Sequence, residues 1–197
     1  PEAPSGRVQG HATLEGAPLD LRAEGWMAPG GAMRLRVEQA TWKSAKLEAA
    51  LDMAPGATLP TGRATLEVGR LEDAAPFAPG LSGAVKAEMR RNGDGALVAK
   101  VEAAGVGPVR SATLTAEGPP EAIALTLKAE AMAALEAAGT LDAVGRSLTL
   151  SRLRASQEGV SATLQAPARI DFAEGVAVDR LRLGIAPGDG VLDVAGR

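Results

Sequence analysis

The residues of this 197-residue chain that could do chemistry are few and scattered. His11, in "VQGHATLEG", is the only histidine, and it falls on the polar side of an alternating run, where a solvated side chain is the ordinary outcome. A Ser-His-Asp site would have to use it, yet no serine sits in a nucleophile-elbow sequence. Cys is absent, which removes disulfides and thiolate metal ligands, and a single histidine cannot build a multi-histidine zinc site. Carboxylates remain as metal-ligand candidates, chiefly in "EGAPLD" (15–20) and "DGVLD" (189–193). Neither stretch has the Asp-x-Asp-x-Asp-Gly spacing of a calcium loop. The glycines of "APGGAM" and "APGDG" are followed by no Lys-Ser or Lys-Thr, so they read as turns rather than phosphate cradles. No catalytic residue, metal site or cofactor is expected, and the chain reads as a non-enzyme.

The elements that carry these residues are strands. Ala favours helix, but 24 Gly and 13 Pro are spread along the length and punctuate it every eight to twelve residues, the spacing of short strands. Between them the period is two. "AMRLRVEQ" sets Met33, Leu35 and Val37 against Arg34, Arg36 and Glu38. "AKLEAALDM" (45–53) and "AIALTLKAE" (122–130) alternate in the same way. Further strands are expected at 7–14, 19–25, 63–69, 83–91, 96–103, 110–117, 147–154, 159–165, 168–173 and 175–184, with a last extended run at 191–194. "NGDG" (92–95) reads as a turn. Residues 70–78 suggest one short helical turn stopped by prolines. The stretch 129–139 fits either two turns of helix or extended structure, with the strand through Leu135 to Leu141 favoured. The fold class is all-β, with about fifteen short strands.

Such strands have one apolar and one wet face, and the chain offers little to cover the apolar one. Hydrophobic residues make up 46% of it but aromatics only 2%, so Ala, Leu and Val must fill any core. Net charge is −3, and the basic residues form no stripe, which argues against nucleic acid as a partner. No run approaches the ~20 apolar residues of a membrane span. The chain opens at Pro1 and stops at "VAGR" directly after a strand-like run, which suggests one continuous segment, 1–197, of a longer protein. "ATL" recurs at residues 12, 64, 112 and 162, a faint echo with a period near fifty.

Three stretches carry a resemblance: "LQAPARIDFAEGVAVDRLRLGIAPGDGVLDVAGR" (164–197), "GTLDAVGRSLTLSRLRASQEG" (139–159) and "GRLEDAAPFAPGLSGAVKAEM" (69–89). A Leu-rich strand, a Pro-Ala step, an extended pair and a Gly-bounded strand follow one another in a cadence that resembles the TamB-like proteins of the AsmA-like superfamily. The resemblance implies a β-taco, an elongated U-shaped sheet with an apolar concave groove. It also implies a periplasmic bridge, anchored in the inner membrane by a segment outside this chain, whose groove carries phospholipid acyl chains to the outer membrane. An Omp85-type outer-membrane barrel is the partner it implies, with a role in outer-membrane protein assembly.

On that reading the lining comprises Leu35, Val37, Leu47, Leu51, Leu66, Val68, Val85, Met89, Leu97, Val101, Leu114, Leu125, Leu127, Leu148, Leu150, Leu164, Ile170, Phe172, Leu181, Leu183 and Ile185. Pattern alone equally allows these residues to be the closed core of a structural or adhesive β-repeat module. A module that binds unfolded outer-membrane β-strands would share the groove and differ in cargo. Fifteen strands ~4.8 Å apart would span about 70 Å, and open edges at both ends predict end-to-end association.

Overall fold

The computed structural model describes residues 5–57, 59–74, 79–93, 95–173 and 175–196. The chain forms β1 (Ser5–Leu14), β2 (Ala17–Met27), β3 (Met33–Trp42), β4 (Ala45–Met53) and β5 (Thr61–Val68), then a 3-10 helix at Leu71–Ala74. There follow β6 (Ala84–Arg91), β7 (Leu97–Val106), β8 (Val109–Gly118), β9 (Ile123–Glu130) and β10 (Ala134–Asp142). The last five are β11 (Ser147–Gln157), β12 (Val160–Leu164), β13 (Ala168–Asp171), β14 (Ala177–Ala186) and β15 (Gly190–Gly196).

All fifteen belong to one antiparallel sheet, and β1 to β12 pair in chain order. The sheet is open: β1 pairs with β2 alone, and β15 with β14 alone. The elongated all-β sheet expected from the sequence is therefore what forms. The helical turn expected near 70–78 is realised as the 3-10 helix, and residues 75–78, Phe77 among them, lie outside the described residues. Of the ambiguous stretch 129–139, residues 131–133 form a bend and residues 134–139 are extended in β10.

One departure from the expected geometry comes at β12 and β13. The second half of β11 pairs with β12 (Arg154 opposite Thr163) and its first half with β13 (Leu148 opposite Ile170). On the other side β14 bonds both. The two short strands are thus halves of one row, broken at residues 165–167 where Pro167 lacks an N–H to give. Fifteen strands make fourteen rows, whose thirteen spacings of ~4.8 Å span about 62 Å, about 5 Å less than fifteen separate rows would.

Tight hairpins hold the register along one rim. β1–β2 and β11–β12 close with two-residue turns, Glu15-Gly16 and Glu158-Gly159, in which both residues have positive φ (48° and 72°; 48° and 84°). That is the geometry whose twist matches flanking strands, and the glycine takes the second position without a Cβ penalty. The turns at 43–44 and 107–108 lie on the same rim. Longer connections at 28–32, 119–122 and 143–146 occupy the opposite rim, and the longest, between β5 and β6, lies on the first.

Among the described residues no second layer covers this sheet. By surface–mass scaling a compact 19.9 kDa monomer exposes about 8,700 Å²; this chain exposes 12456 Å². Among the described residues the buried hydrophobic side chains are Val37, Trp42, Ala49, Val68, Leu71, Ile123 and Ala168. Trp42, Val68 and Leu71 cluster where the β5–β6 connection folds back on the rim. There Ser44 Oγ donates to Arg70 O and accepts from Arg70 N, and Lys43 Nζ donates to Asp73 O. Trp42 Nε1 donates to Leu14 O at 2.9 Å, and Lys43 stacks 4.4 Å over its ring.

This distribution predicts unequal costs of truncation. Ile123→Ala, at a side chain only 2% exposed, is expected to cost about 2–4 kcal/mol in urea unfolding. Leu66→Ala, at a side chain 39% exposed, is expected to cost about 1 kcal/mol or less. Equal costs would mean that the apolar face is covered after all.

Candidate functional site: an apolar face in four rows

Residues directly opposite one another in an antiparallel sheet share a face, so the pairings trace the lining strand by strand. One row runs unbroken from edge to edge: Ala12, Leu19, Trp42, Ala45, Val68, Val85, Ala103, Ala112, Ala129, Leu135, Ala155, Ala162, Ile185, Gly190. The next is richer in leucine: Leu21, Ala40, Leu47, Leu66, Ala87, Val101, Leu114, Leu127, Ala137 and Leu153. It resumes beyond β11 as Leu164, Leu183 and Leu192. A third row contains Val8, Ala23, Val37, Ala49, Ala64, Met89, Ala99, Ala116, Leu125, Gly139, Leu150 and Ala168. The fourth includes Leu35, Leu51, Leu97, Ile123, Leu141, Leu148, Ile170 and Val178.

Twenty of the twenty-one residues assigned to the lining from sequence thus share a single face; Leu181, opposite Val194, joins it after a bulge. Phe172 is the exception in placement. It was expected inside a strand, but β13 ends one residue earlier, at Asp171; Phe172 N–H still donates to Arg146 O, in line with Ser147 opposite Asp171, and the residue is 40% exposed.

The lining assigned from sequence omits Leu19, Leu21, Leu135, Leu141, Leu153, Val178, Leu192 and Val194, and also Met33, Met53 and Ile123, which the alternation does place on the apolar faces of their strands. Leu153 was missed because the period breaks: Leu148 and Leu150 lie on the apolar face, Ser151 is an inserted residue, and Leu153 and Ala155 resume on the same face. The signal was present as a switch from even to odd apolar positions, which is how a bulge appears in sequence.

Relief within the face is ordered. Leu35, Leu47 and Leu66, in the second and fourth rows, stand 45%, 36% and 39% exposed, whereas Val37 and Ala49 between them are only 8% and 7% exposed. Adjacent rows lie two residues apart along a strand, ~6.8 Å. The third row is therefore a lane of smaller side chains flanked by leucines, crossing the strands at right angles. At Gly139 in that lane the backbone approaches its neighbour so closely that a Cβ would lie 2.6 Å from Thr149 O. Near β1 the face opens into a hollow of about 570 Å³ lined by Val8, Ala23, Met27, Met33 and Leu35 among others. A Cβ on Gly6, Gly10 or Gly25 would meet nothing within 4 Å, so this part of the face has no opposing wall in contact.

Charge is kept off the face. The register assigns it Arg91 and Arg110, each at a strand end. Arg91 turns its guanidinium to the rim, donating to Leu59 O and Gly95 O of the two adjacent loops. The opposite face is a charged lattice. Lys46, Glu67, Lys86 and Glu102 face one another on successive strands, as do Lys128, Glu136 and Arg154. Glu88, hydrogen-bonded to Lys86 at 2.7 Å, raises the lysine's pKa while its own is lowered. His11 lies on this wet face, exposed and paired with Asp20 across β1–β2. Asp189 and Asp193 do not converge on a common centre with other carboxylates: among the described residues no group of three His, Asp or Glu could hold a metal ion. No described helix is long and apolar enough to cross a membrane.

The fold and face together define a class: an open antiparallel sheet, apolar on one side, with charge only near its rims, and ionic on the other. No family model, curated protein or solved structure matches the chain.

The ionic face yields a pH prediction at the β14–β15 hairpin. Arg180 donates to both carboxylate oxygens of Asp193, and this hydrogen bonding, with the guanidinium charge, holds the Asp193 pKa below its ordinary value. A depressed folded value means that the pair supports the hairpin above the unfolded carboxyl's titration range and is lost as pH falls through the folded value. In an NMR titration Asp193 should therefore protonate at lower pH than in the unfolded chain. Arg180→Ala should return its midpoint towards the ordinary 3.8; an unchanged midpoint would show that the pair does not form in solution.

Proposed function

We propose that this chain is a segment of a periplasmic bridge that carries phospholipid acyl chains along its apolar face, as in the TamB-like proteins its sequence resembles. The observation that carries the reading is the face itself, about 60 Å by about 20 Å, continuous over fourteen rows and free of charge between its rims. Apolar patches on soluble monomers seldom exceed a few hundred Å² unless they bind something. The lane of small side chains between leucine rows suits a slender, flexible, apolar cargo lying across the strands.

Each methylene transferred from water gains about 0.8 kcal/mol, so a sixteen-carbon tail gains roughly 10 kcal/mol without a hydrogen bond. That gain is nearly uniform along the lane, because every strand contributes the same kind of surface. A cargo can then slide without escaping a deep local minimum, and movement needs no catalytic residue. The polar headgroup would remain outside the lane, in water or against the rims. In the whole protein an inner-membrane anchor would lie at one end of the path and an Omp85-type barrel at the other.

A photo-crosslinking amino acid at Leu125, in the lane, or at Leu183, in the adjacent leucine row, tests the reading in cells. Phospholipid adducts at both positions, and none from the same residue at Thr115 on the charged face, are expected. Absence of lipid adducts at both apolar positions would remove the carrier.

A further inference from the structure

The wet face matches opposite charges across its strands, with one exception. Among the described residues, wherever two other ionisable side chains stand directly opposite, an acid faces a base, as with Lys46 and Glu67 or Glu88 and Lys100. Between β5 and β6, however, Arg63 faces Arg90. We propose that this pair, with Arg36 of β3, binds the phosphate group of an anionic ligand.

Nothing beside the pair neutralises it. Arg63 stands between Ala50 and Arg90, and Arg90 between Arg63 and Val98, so neither has an acid directly opposite. Three acids lie on the diagonals of Arg63: Glu48, Asp52 and Glu88. Arg34 holds Asp52 at 2.6 Å, and Lys86 holds Glu88 at 2.7 Å. Arg36 faces Glu24, but that carboxylate pairs with Arg7. Among the described residues Arg36, Arg63 and Arg90 form no ion pair, with Glu48 or any other acid, and no side-chain hydrogen bond. All three are exposed. They are far apart in sequence, and only the register of β3 to β6 groups them.

Directly opposed Cβ atoms stand ~5 Å apart, where like charges oppose the pairing of their strands. Arg36 lies two strands from Arg63, ~10 Å away, with small Ala50 as the floor between them. Three guanidinium groups can therefore converge on one anion from two sides. Each presents parallel N–H donors that match a pair of phosphate oxygens. A carboxylate has two oxygens and a single charge, too few for three such forks. A phosphate monoester brings three free oxygens and nearly two charges, which turns the repulsion of the arginines into shared attraction. The phosphate can belong to a soluble compound or to a lipid headgroup at a membrane surface. The site lies on the face opposite the apolar lane, so the inference does not depend on the cargo of that lane.

In phosphate-free buffer of low ionic strength, Arg90→Gln removes the repulsion and should raise the melting temperature by about 2 °C. The side-chain N–H signals of Arg63 and Arg90 should move in NMR spectra on titration with inorganic phosphate. R63Q and R90Q should each weaken that binding at least about tenfold. R22Q makes the same charge change elsewhere on the wet face and should leave binding unaltered. Flotation with vesicles of phosphatidylglycerol in phosphatidylcholine is the second arm. Vesicle binding lost in R90Q but kept in R22Q assigns the phosphate to a headgroup; weakened phosphate binding with equal flotation assigns it to a soluble compound. If R90Q is no more stable than the unmodified chain, or behaves as R22Q does with both probes, the proposal is overturned.

Discussion

The structure depends on phase. In an antiparallel sheet the side-chain period is two, so a slip of one residue in any strand would carry its whole apolar set to the wet face. Here the phase survives fourteen rows, including places where a strand gains a residue. β3 presents Met33, Leu35 and Val37, takes an extra residue, and then presents Ala40 and Trp42 on the same side. β14 does the same between Val178 and Leu181. At each site the sequence changes parity where the backbone does, so amino-acid pattern and bulge correct one another.

Keeping phase separates the work of the two faces. On the wet side some ion pairs cross between strands, as Arg7 with Glu24 and Arg34 with Asp52, and others run along one strand, as Lys86 with Glu88 and Lys100 with Glu102. The apolar side has no second layer among the described residues. Its side chains shelter mainly against lateral neighbours, which is why most of the lining is half-buried rather than buried. Only the rim near Trp42, Val68 and Leu71 has a compact cluster, where the long β5–β6 connection is pinned by Ser44 and Lys43.

Much of this was legible in the sequence because it is local. Alternation such as Leu47–Ala49–Leu51 placed strands and faces, and Gly and Pro placed the turns. What escaped was non-local or off-period. Nothing in "ATLQAPARID" (162–171) announces that its two halves share one row, since that follows from both pairing with β11. Trp42 read as one of four aromatics; its bond to Leu14 O spans 28 positions. Phe172 fitted the alternation of Ala168 and Ile170, but the strand ended one residue earlier. The scarcity of aromatics, a puzzle for a closed core, is the natural composition of a face that nothing within the described chain fills.

The fourteen-row count also bears on how such a chain can change in length. Duplicating or deleting one hairpin alters the sheet by two rows and leaves the direction of every other strand, and the sidedness of its surface, as before. An odd strand would reverse everything downstream of it. Inheritance by hairpins lets reach be set by gene length alone, while the surface along that reach stays of one kind.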